Sequence, residues 1–421
     1  MKAELIAIGT ELLIGHVVNS NAAYLSEELN AIGISTYFHI TVGDNKERIL
    51  NTLELAASRA DIIICTGGLG PTVDDITHEV LAEFTGKKLL EDKQIKEIIK
   101  NKFLKTKTEI PQNNYKQALI PEGAIIIPNP VGTAVGVILD YKGIKIISFP
   151  GVPCEMKDMF KETVAPYLSD YLGEKESVAA IESEKIKFIN IGESRMAEII
   201  GEEIFMQSNP SVAPYATLGE CYVRITAKAK SVKEAKELIA PVKEKIEAKM
   251  KDYIYTYGDD TVPEILARYL KNKNLSIAFA ESCTGGLLSK TMTDIPGASA
   301  YTKLNLITYS NESKEKFLNV SKETLDQFGA VSEETAKEMA LGLQNISTAD
   351  LNISITGIAG PEGGTPEKPI GTIFIGIAMN DKVEVHKLDW FARTLNRAQV
   401  RELACLKTLY RAYKFLLENT V

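Results

Sequence analysis

The sequence predicts an α/β protein: two three-layer α/β domains joined by a small α+β domain. Strand-sized apolar runs alternate with amphipathic helix patterns in residues 1–172 and again in residues 258–421. Between them, in residues 173–257, charge density rises and short strands and helices interleave. A length of 421 residues at 45% hydrophobic and 25% charged is ordinary globular composition with room for two or three domains.

In the first region, Leu5–Ile8, Ile62–Cys65, Val135–Leu139 and Ile144–Phe149 read as strands, and Ala22–Ile32 and Lys46–Ser58 as helices. The alternation implies a largely parallel sheet. The middle region has strands Lys185–Ile191 and Cys221–Lys228 and helices Glu193–Glu203 and Val232–Met250. Tyr257-Gly258-Asp259-Asp260 reads as a linker. The last region starts with helix Val262–Lys271 and strand Leu275–Ala280, then helix Leu287–Met292. Strands Leu351–Thr356, Thr372–Met379 and Val383–Trp390 follow, and a long helix, Arg397–Leu417, closes it.

A formal net charge of -8 disfavours general nucleic-acid binding, which usually needs a basic surface. The apolar runs are strand-sized, so no membrane span is expected, and the N-terminus lacks the apolar core of a signal peptide. Five widely spaced cysteines without a Cys-x-x-Cys read as reduced thiols of a cytoplasmic protein.

Two segments carry chemistry. In the first, the apolar run Ile62–Cys65 enters Thr66-Gly67-Gly68-Leu69-Gly70-Pro71-Thr72, then Val73-Asp74-Asp75. A glycine-rich strand-to-helix loop lets backbone N–H groups approach a phosphate. The two aspartates, read as lying in the first helical turn, suit a hard divalent cation shared with phosphate oxygens. The alternative is a plain glycine turn with acidic residues stabilising a helix N-terminus. Loops Asn129–Ala134, with Gly132 and Thr133, and Phe149–Pro153, with Pro150 and Gly151, are further candidates for the same site.

These residues, with Gly9-Thr10-Glu11-Leu12-Leu13, resemble the molybdopterin-binding fold of the MoaB/MogA type. The spelling Thr-Gly-Gly-Leu-Gly-Pro-Thr-x-Asp-Asp-x-Thr is similar to that of the competence/damage-inducible CinA family. The resemblance covers the whole chain and implies a KH-like middle domain and a homodimer. It implies a metal-dependent ADP-ribose pyrophosphatase in the first domain. Thr66, Gly67, Gly68 and Gly70 would line the phosphate site, and Asp74 and Asp75 would hold the metal, with Glu11 and Asn19 nearby. In the middle region no Gly-x-x-Gly loop is found, so a structural or dimer-forming role is expected there rather than nucleic-acid clamping.

The second segment is Ala280-Glu281-Ser282-Cys283-Thr284-Gly285-Gly286, which puts Ser282 on a tight strand-to-helix turn. A serine hydroxyl needs a neighbouring base. The four histidines are scattered and no Gly-x-Ser-x-Gly is present, which points away from a histidine. The string Thr308-Tyr309-Ser310-Asn311-Glu312-Ser313-Lys314 offers a lysine instead. A lysine acts as a base only when neutral, so its pKa has to fall from about 10.4, through burial or a neighbouring positive charge. An oxyanion would lie against backbone N–H groups near Cys283 and Thr284. The alternatives are a helix-capping serine and a solvated lysine.

This second set resembles the nicotinamide-nucleotide amidase (PncC) family. The resemblance extends through Pro296–Ser299, Gly329–Ser332, Thr356-Gly357-Ile358-Ala359-Gly360-Pro361 and Lys368–Thr372. It implies hydrolysis of the carboxamide of nicotinamide mononucleotide without a metal, with Ser282 and Lys314 as the dyad and Tyr309 as assisting hydroxyl. Cys283, Thr284, Gly285, Gly286, Thr356, Gly357, Ala359 and Gly360 would border the substrate. Arg397, sharing a helix face with Arg401, is expected to contact its phosphate or pyridine side. Cys283 and Trp390 are expected to pack rather than react, and Arg393 lies near the same helix start. One departure is Asn305, expected where the family carries glycine.

Overall fold

The computed structural model describes residues 1–106, 109–175, 180–388 and 395–420. Contacts divide the chain into two compact units, Met1–Ser183 with Ala227–Leu238, and Glu184–Thr226 with Ile239–Val421.

The first unit is built on a six-stranded sheet. Its members are β1 (Lys2–Ile8), β2 (Ser35–Val42), β3 (Ile62–Thr66), β6 (Ile125–Ile127), β7 (Gly136–Tyr141) and β8 (Ile144–Phe149). A separate antiparallel pair comprises β4 (Leu89–Glu91) and β5 (Leu119–Pro121). The order is β2-β1-β3-β8-β7-β6. The β1/β2, β1/β3 and β3/β8 pairs are parallel, while β7 pairs antiparallel with β8 and β6. The sheet is thus parallel at its core with an antiparallel extension. β1 shows why the inner strands read as unbroken apolar runs, since both of its faces are covered. Ile6 and Ile8 join the cluster with Ile49, Leu53 and Val80, whereas Ala3 and Leu5 join Leu25, Leu29 and Phe160.

The second unit holds most of one sheet and the whole of another. β9 (Ala180–Ile189), β10 (Ser211–Thr217), β11 (Glu220–Ala229) and β12 (Ile254–Tyr257) form one in the order β10-β11-β9-β12. The expected linker at Tyr257–Asp260 therefore begins inside a strand. The helix expected over Glu193–Glu203 is two helices, Glu193–Ile200 and Glu202–Phe205, parted by Gly201 at φ 95°. That left-handed backbone ends the first helix.

The other sheet is β14-β13-β15-β16-β17, from β13 (Ile277–Glu281), β14 (Thr302–Ile307), β15 (Leu351–Gly357), β16 (Ile373–Met379) and β17 (Lys382–Leu388). β13 runs parallel to both β14 and β15, and β16 and β17 are antiparallel additions. β13 alternates strictly: Ile277 and Phe279 face helices Val262–Lys273 and Arg397–Asn419, whereas Ala278 and Ala280 face Leu318, Met339 and Leu343. The strand reaches one residue beyond the expected end, to a buried Glu281. Trp390 and Arg393 lie outside the described residues.

Candidate functional sites

In both α/β sheets the chemistry-bearing loops leave the carboxyl ends of the parallel strands, where such sheets gather ligands. In the second unit, β13 delivers Ser282, β14 delivers Thr308 and Tyr309, and β15 delivers Ile358–Gly360. Ser282 is fastened to the sheet by its N–H, which donates to the Ile355 carbonyl at 3.0 Å. The turn closes through left-handed Gly285 and Gly286 (φ 57° and 94°), and a helix begins at Leu287. A side chain at Gly286 would press on Ile307 Cδ1, so this turn needs glycine for conformation and for space.

Lys314 lies on the first turns of helix Asn311–Leu318, which Ser310 caps by accepting from the Ser313 N–H. Its side chain is 1% exposed. Nζ is 3.2 Å from Ser282 Oγ, 2.9 Å from the Thr308 carbonyl and 3.3 Å from the Tyr309 carbonyl. Those partners are three neutral oxygens. Burial pushes the lysine pKa down from its ordinary value. The three oxygens match an ammonium's three N–H groups; in the neutral amine two N–H groups would serve the two carbonyls and the lone pair would face the serine hydroxyl. Burial therefore does what no neighbouring cation is needed to do.

Tyr309 is placed differently from an assisting hydroxyl that touches the dyad. Its ring is 58% exposed, and its hydroxyl accepts from Arg397 Nη2 at 3.0 Å. The tyrosine reaches Lys314 through its backbone carbonyl. Arg397 also donates to the Gly360 carbonyl at 2.7 Å, so one guanidinium ties the Tyr309 and Gly360 loops together. Arg401, one turn on, donates to the Thr284 carbonyl at 2.5 Å. Cys283 is buried and its thiol is pushed up to about 12 by desolvation, which makes it a packed side chain. Thr356 is buried with its hydroxyl on the Ala330 carbonyl, Gly357 ends β15, and Ala359 packs in the core. Asn305 lies mid-strand in β14 opposite Phe279, exposed, and is absent from the left-handed residues.

The first unit has a cavity of about 900 Å³. All the N-terminal candidates except Asn129 border it: Glu11, Asn19, Thr66, Gly67, Gly68, Gly70, Asp74, Asp75, Gly132, Thr133, Pro150 and Gly151 line it directly. Asn129 braces the wall from behind. Its Oδ1 accepts from the Val131 and Gly132 N–H groups, and its Nδ2 donates to Glu155 and to the Ala134 carbonyl. Gly67, at φ 102°, packs against the Ile8 carbonyl so closely that any side chain would collide with it. Thr77 holds the loop by donating its hydroxyl to the Gly67 carbonyl at 2.8 Å.

The aspartates differ from expectation. The helix starts at Thr77, so Asp74 and Asp75 sit in the turn before it rather than in its first turn. Asp75 Oδ2 is already engaged by the Thr72 N–H and hydroxyl at 2.8 and 2.6 Å, which closes the loop back on Thr72. Asp74 is exposed. Among the described residues no three His, Cys, Asp or Glu side chains converge as a metal cage. Glu11, Asp44, Asp74, Asp75 and Glu155 nevertheless border one cavity. That donor set fits a hard cation taking one or two carboxylates and filling its shell from water and phosphate oxygens.

Asn19 turns out to be a helix cap, accepting from the Ala22 N–H at 3.1 Å. The neighbouring Asn21 is the residue that reaches across, donating to the Gly151 carbonyl at 2.8 Å. Sequence reasoning missed Asn21, Glu281 and Arg401 as site residues. For Glu281 a signal existed: a carboxylate ending an otherwise apolar strand directly before the serine.

Three family models match in order: a probable molybdopterin binding domain over residues 4–170, the damage-inducible protein CinA KH domain over 183–256, and the CinA C-terminal domain over 259–416. A competence-damage inducible protein of Thermoanaerobacter pseudethanolicus is 46% identical over 99% of this chain and 99% of its own. One from Clostridium beijerinckii is 47% identical over 92% of this chain and 93% of its own. The chain belongs to the competence-damage inducible CinA family. Among solved structures, the competence/damage inducible protein from Agrobacterium tumefaciens is 36% identical. It covers 38% of this chain and 96% of its own, at a TM-score of 0.34. Among the described residues no helix is long and apolar enough to cross a membrane.

Proposed function

We propose that the C-terminal site is a serine–lysine amidase acting on nicotinamide mononucleotide. The single observation that carries this is the buried Lys314 amine 3.2 Å from Ser282 Oγ, with no charged partner among its hydrogen bonds. Ser282 Oγ attacks the carboxamide carbon while Lys314 takes its proton. The tetrahedral oxyanion is met by the N–H groups of Cys283 and Thr284. Lys314 returns the proton to the departing nitrogen, and ammonia leaves an ester on Ser282. Water, activated by the same lysine, releases nicotinate mononucleotide. Arg397 orients Tyr309 and the Gly360 loop and faces the substrate's phosphate side.

The N-terminal site is proposed to cleave the phosphoanhydride of ADP-ribose, giving AMP and ribose 5-phosphate. A cavity of about 900 Å³ is in the range for such a nucleotide. In the loop Thr66–Gly70 the N–H groups of Gly68, Leu69 and Gly70 would meet phosphate, since that of Gly67 donates to the Phe149 carbonyl at 2.9 Å, and Asp74 and Asp75 with Glu11 are the residues that would hold a divalent cation. When bound, that cation would neutralise charge developing on phosphate oxygens. The second reading is a nucleotide- or pterin-binding module without turnover, which the engaged Asp75 favours. A cytoplasmic homodimer is the proposed working form, as the family resemblance and the unpaired cysteines suggest.

Product analysis with both substrates, with and without chelator, tests the pair of assignments. Ammonia from nicotinamide mononucleotide is expected to be indifferent to chelator, and AMP from ADP-ribose abolished by it. No ammonia from the wild-type protein sinks the amidase reading. ADP-ribose binding without cleavage under any divalent metal favours the binding module.

A further inference from the structure

Glu281 is 0% exposed, yet it is a carboxylate at the end of a core strand. Four donors meet it: Oε2 accepts from the N–H groups of Gly286 and Leu288 at 3.0 Å each, and Oε1 from the Ser289 N–H and hydroxyl at 2.8 and 2.6 Å. Those N–H groups are the unpaired donors of the helix that begins at Leu287. The same residue's main chain is fixed in the sheet, where its carbonyl accepts from the Thr308 N–H at 2.8 Å and the residue pairs with Ile307 and Ile355. Ser282–Gly285 is thus a short span whose two ends are both gripped by one residue. Thr308, gripped on the other side, supplies the carbonyl that holds Lys314 Nζ at 2.9 Å.

We propose that Glu281 is the positioning residue of this site, fixing both the serine turn and the Thr308 carbonyl, and thereby the spacing between Ser282 Oγ and Lys314 Nζ. The inference rests on the serine–lysine reading. Of its two oxygens neither is spare, so an amide in its place would set an NH₂ group against N–H donors and loosen the turn.

The test uses the full chain and a small fluorophosphonate. Ser282 Oγ bonds to phosphorus, fluoride leaves, and Lys314 takes the hydroxyl proton. The labelling rate is followed by intact mass across pH 6–9, alongside melting temperature and ammonia release. Glu281→Gln is expected to lower the plateau labelling rate on the order of tenfold or more while leaving the pH midpoint, which Lys314 sets, in place. For ammonia release, kcat falls with KM within about threefold. A plateau within about twofold of wild type in folded Glu281→Gln overturns the proposal. If that variant does not fold, Ser289→Ala, which removes one donor, serves instead: slowing of about threefold or more supports the proposal and an unchanged rate overturns it. Wild-type labelling at Ser282 without ammonia release would remove the substrate assignment and leave the positioning comparison intact. Absence of wild-type labelling would remove both.

Discussion

The two α/β sheets place their loops at the same end by the same rule and arrive at opposite kinds of site. In the C-terminal sheet the reactive pair is sealed: Lys314 is 1% exposed and Ser282 8%, and the lysine amine meets three oxygens, those of Ser282, Thr308 and Tyr309. In the N-terminal sheet the acidic candidates border an open cavity of about 900 Å³ and Asp74 is exposed. Sealing is what a lysine base requires, because desolvation is the force that lowers its pKa. Openness is what a phosphate-and-cation site tolerates, because the ligand brings much of the coordination shell. The difference predicts that side-chain deletions will be all-or-none in one site and graded in the other.

The sealed site should break first. Ser282→Ala is expected to lower ammonia release from nicotinamide mononucleotide on the order of 10⁴-fold or more, with little change in melting temperature. Lys314→Met should abolish turnover to a similar degree and raise the melting temperature, because an apolar side chain replaces a buried amine with no counter-charge. The pH dependence has a definite sign. The folded-state pKa of Lys314 lies below its unfolded value, so the unfolded chain binds more protons between the two. Stability of the wild-type protein therefore rises with pH through that window, and the rise should vanish in Lys314→Met. Acylation should also climb with pH through the lowered pKa. A flat wild-type stability profile that matches the methionine variant would contradict the desolvated lysine.

The open site should respond by degrees. Chelation is expected to stop AMP formation from ADP-ribose while leaving ammonia release untouched, which separates the two sites in one measurement. Asp74→Ala should cost on the order of 10–100-fold in metal-dependent turnover with little effect on stability, since its carboxylate is exposed. Asp75→Ala should cost stability as well, because its carboxylate closes the Thr72 turn. Equal loss of ammonia release in Asp74→Ala would collapse the distinction between the sites.

How legible these sites were depends on whether the signal was local. Ser282 on its Gly-Gly turn and the Thr66–Gly70 loop are local, because strand, glycines and helix are contiguous in the sequence, and each appeared where its spacing put it. Strands such as β2, β10 and β14 left weak patterns, since an exposed or edge strand needs no continuous apolar run; β14 alternates half-buried and exposed residues throughout. Glu281 was only half legible: a carboxylate ending an apolar strand marks the residue without giving its role. Its meaning is set by helix N–H groups five to eight residues on, which composition cannot register. Arg401 touching the Thr284 carbonyl is longer-range still, spanning 117 positions.

Tyr309→Phe sharpens the comparison on a smaller scale. Its hydroxyl is hydrogen-bonded to Arg397, and only its carbonyl touches the lysine. Loss of one exposed charge-assisted hydrogen bond predicts a change of about tenfold or less, mostly in KM. A proton relay through the phenol would instead cost about 10²–10⁴-fold in kcat.

The smallest expected effect is at Asn305, the position where the family resemblance leads one to expect glycine. The residue lies in extended β14 and outside the left-handed conformations that favour glycine, so its backbone is unstrained. Its pairing with Phe279 sets its side chain on the sheet face of the terminal helix, but at the edge strand it is exposed. Asn305→Gly should therefore leave KM for nicotinamide mononucleotide within about twofold and lower stability by roughly 0.5–1 kcal/mol, the entropic cost of glycine in a strand. A tenfold fall in KM would mean that the asparagine obstructs the substrate, and the sealed site would then extend to the edge of its sheet.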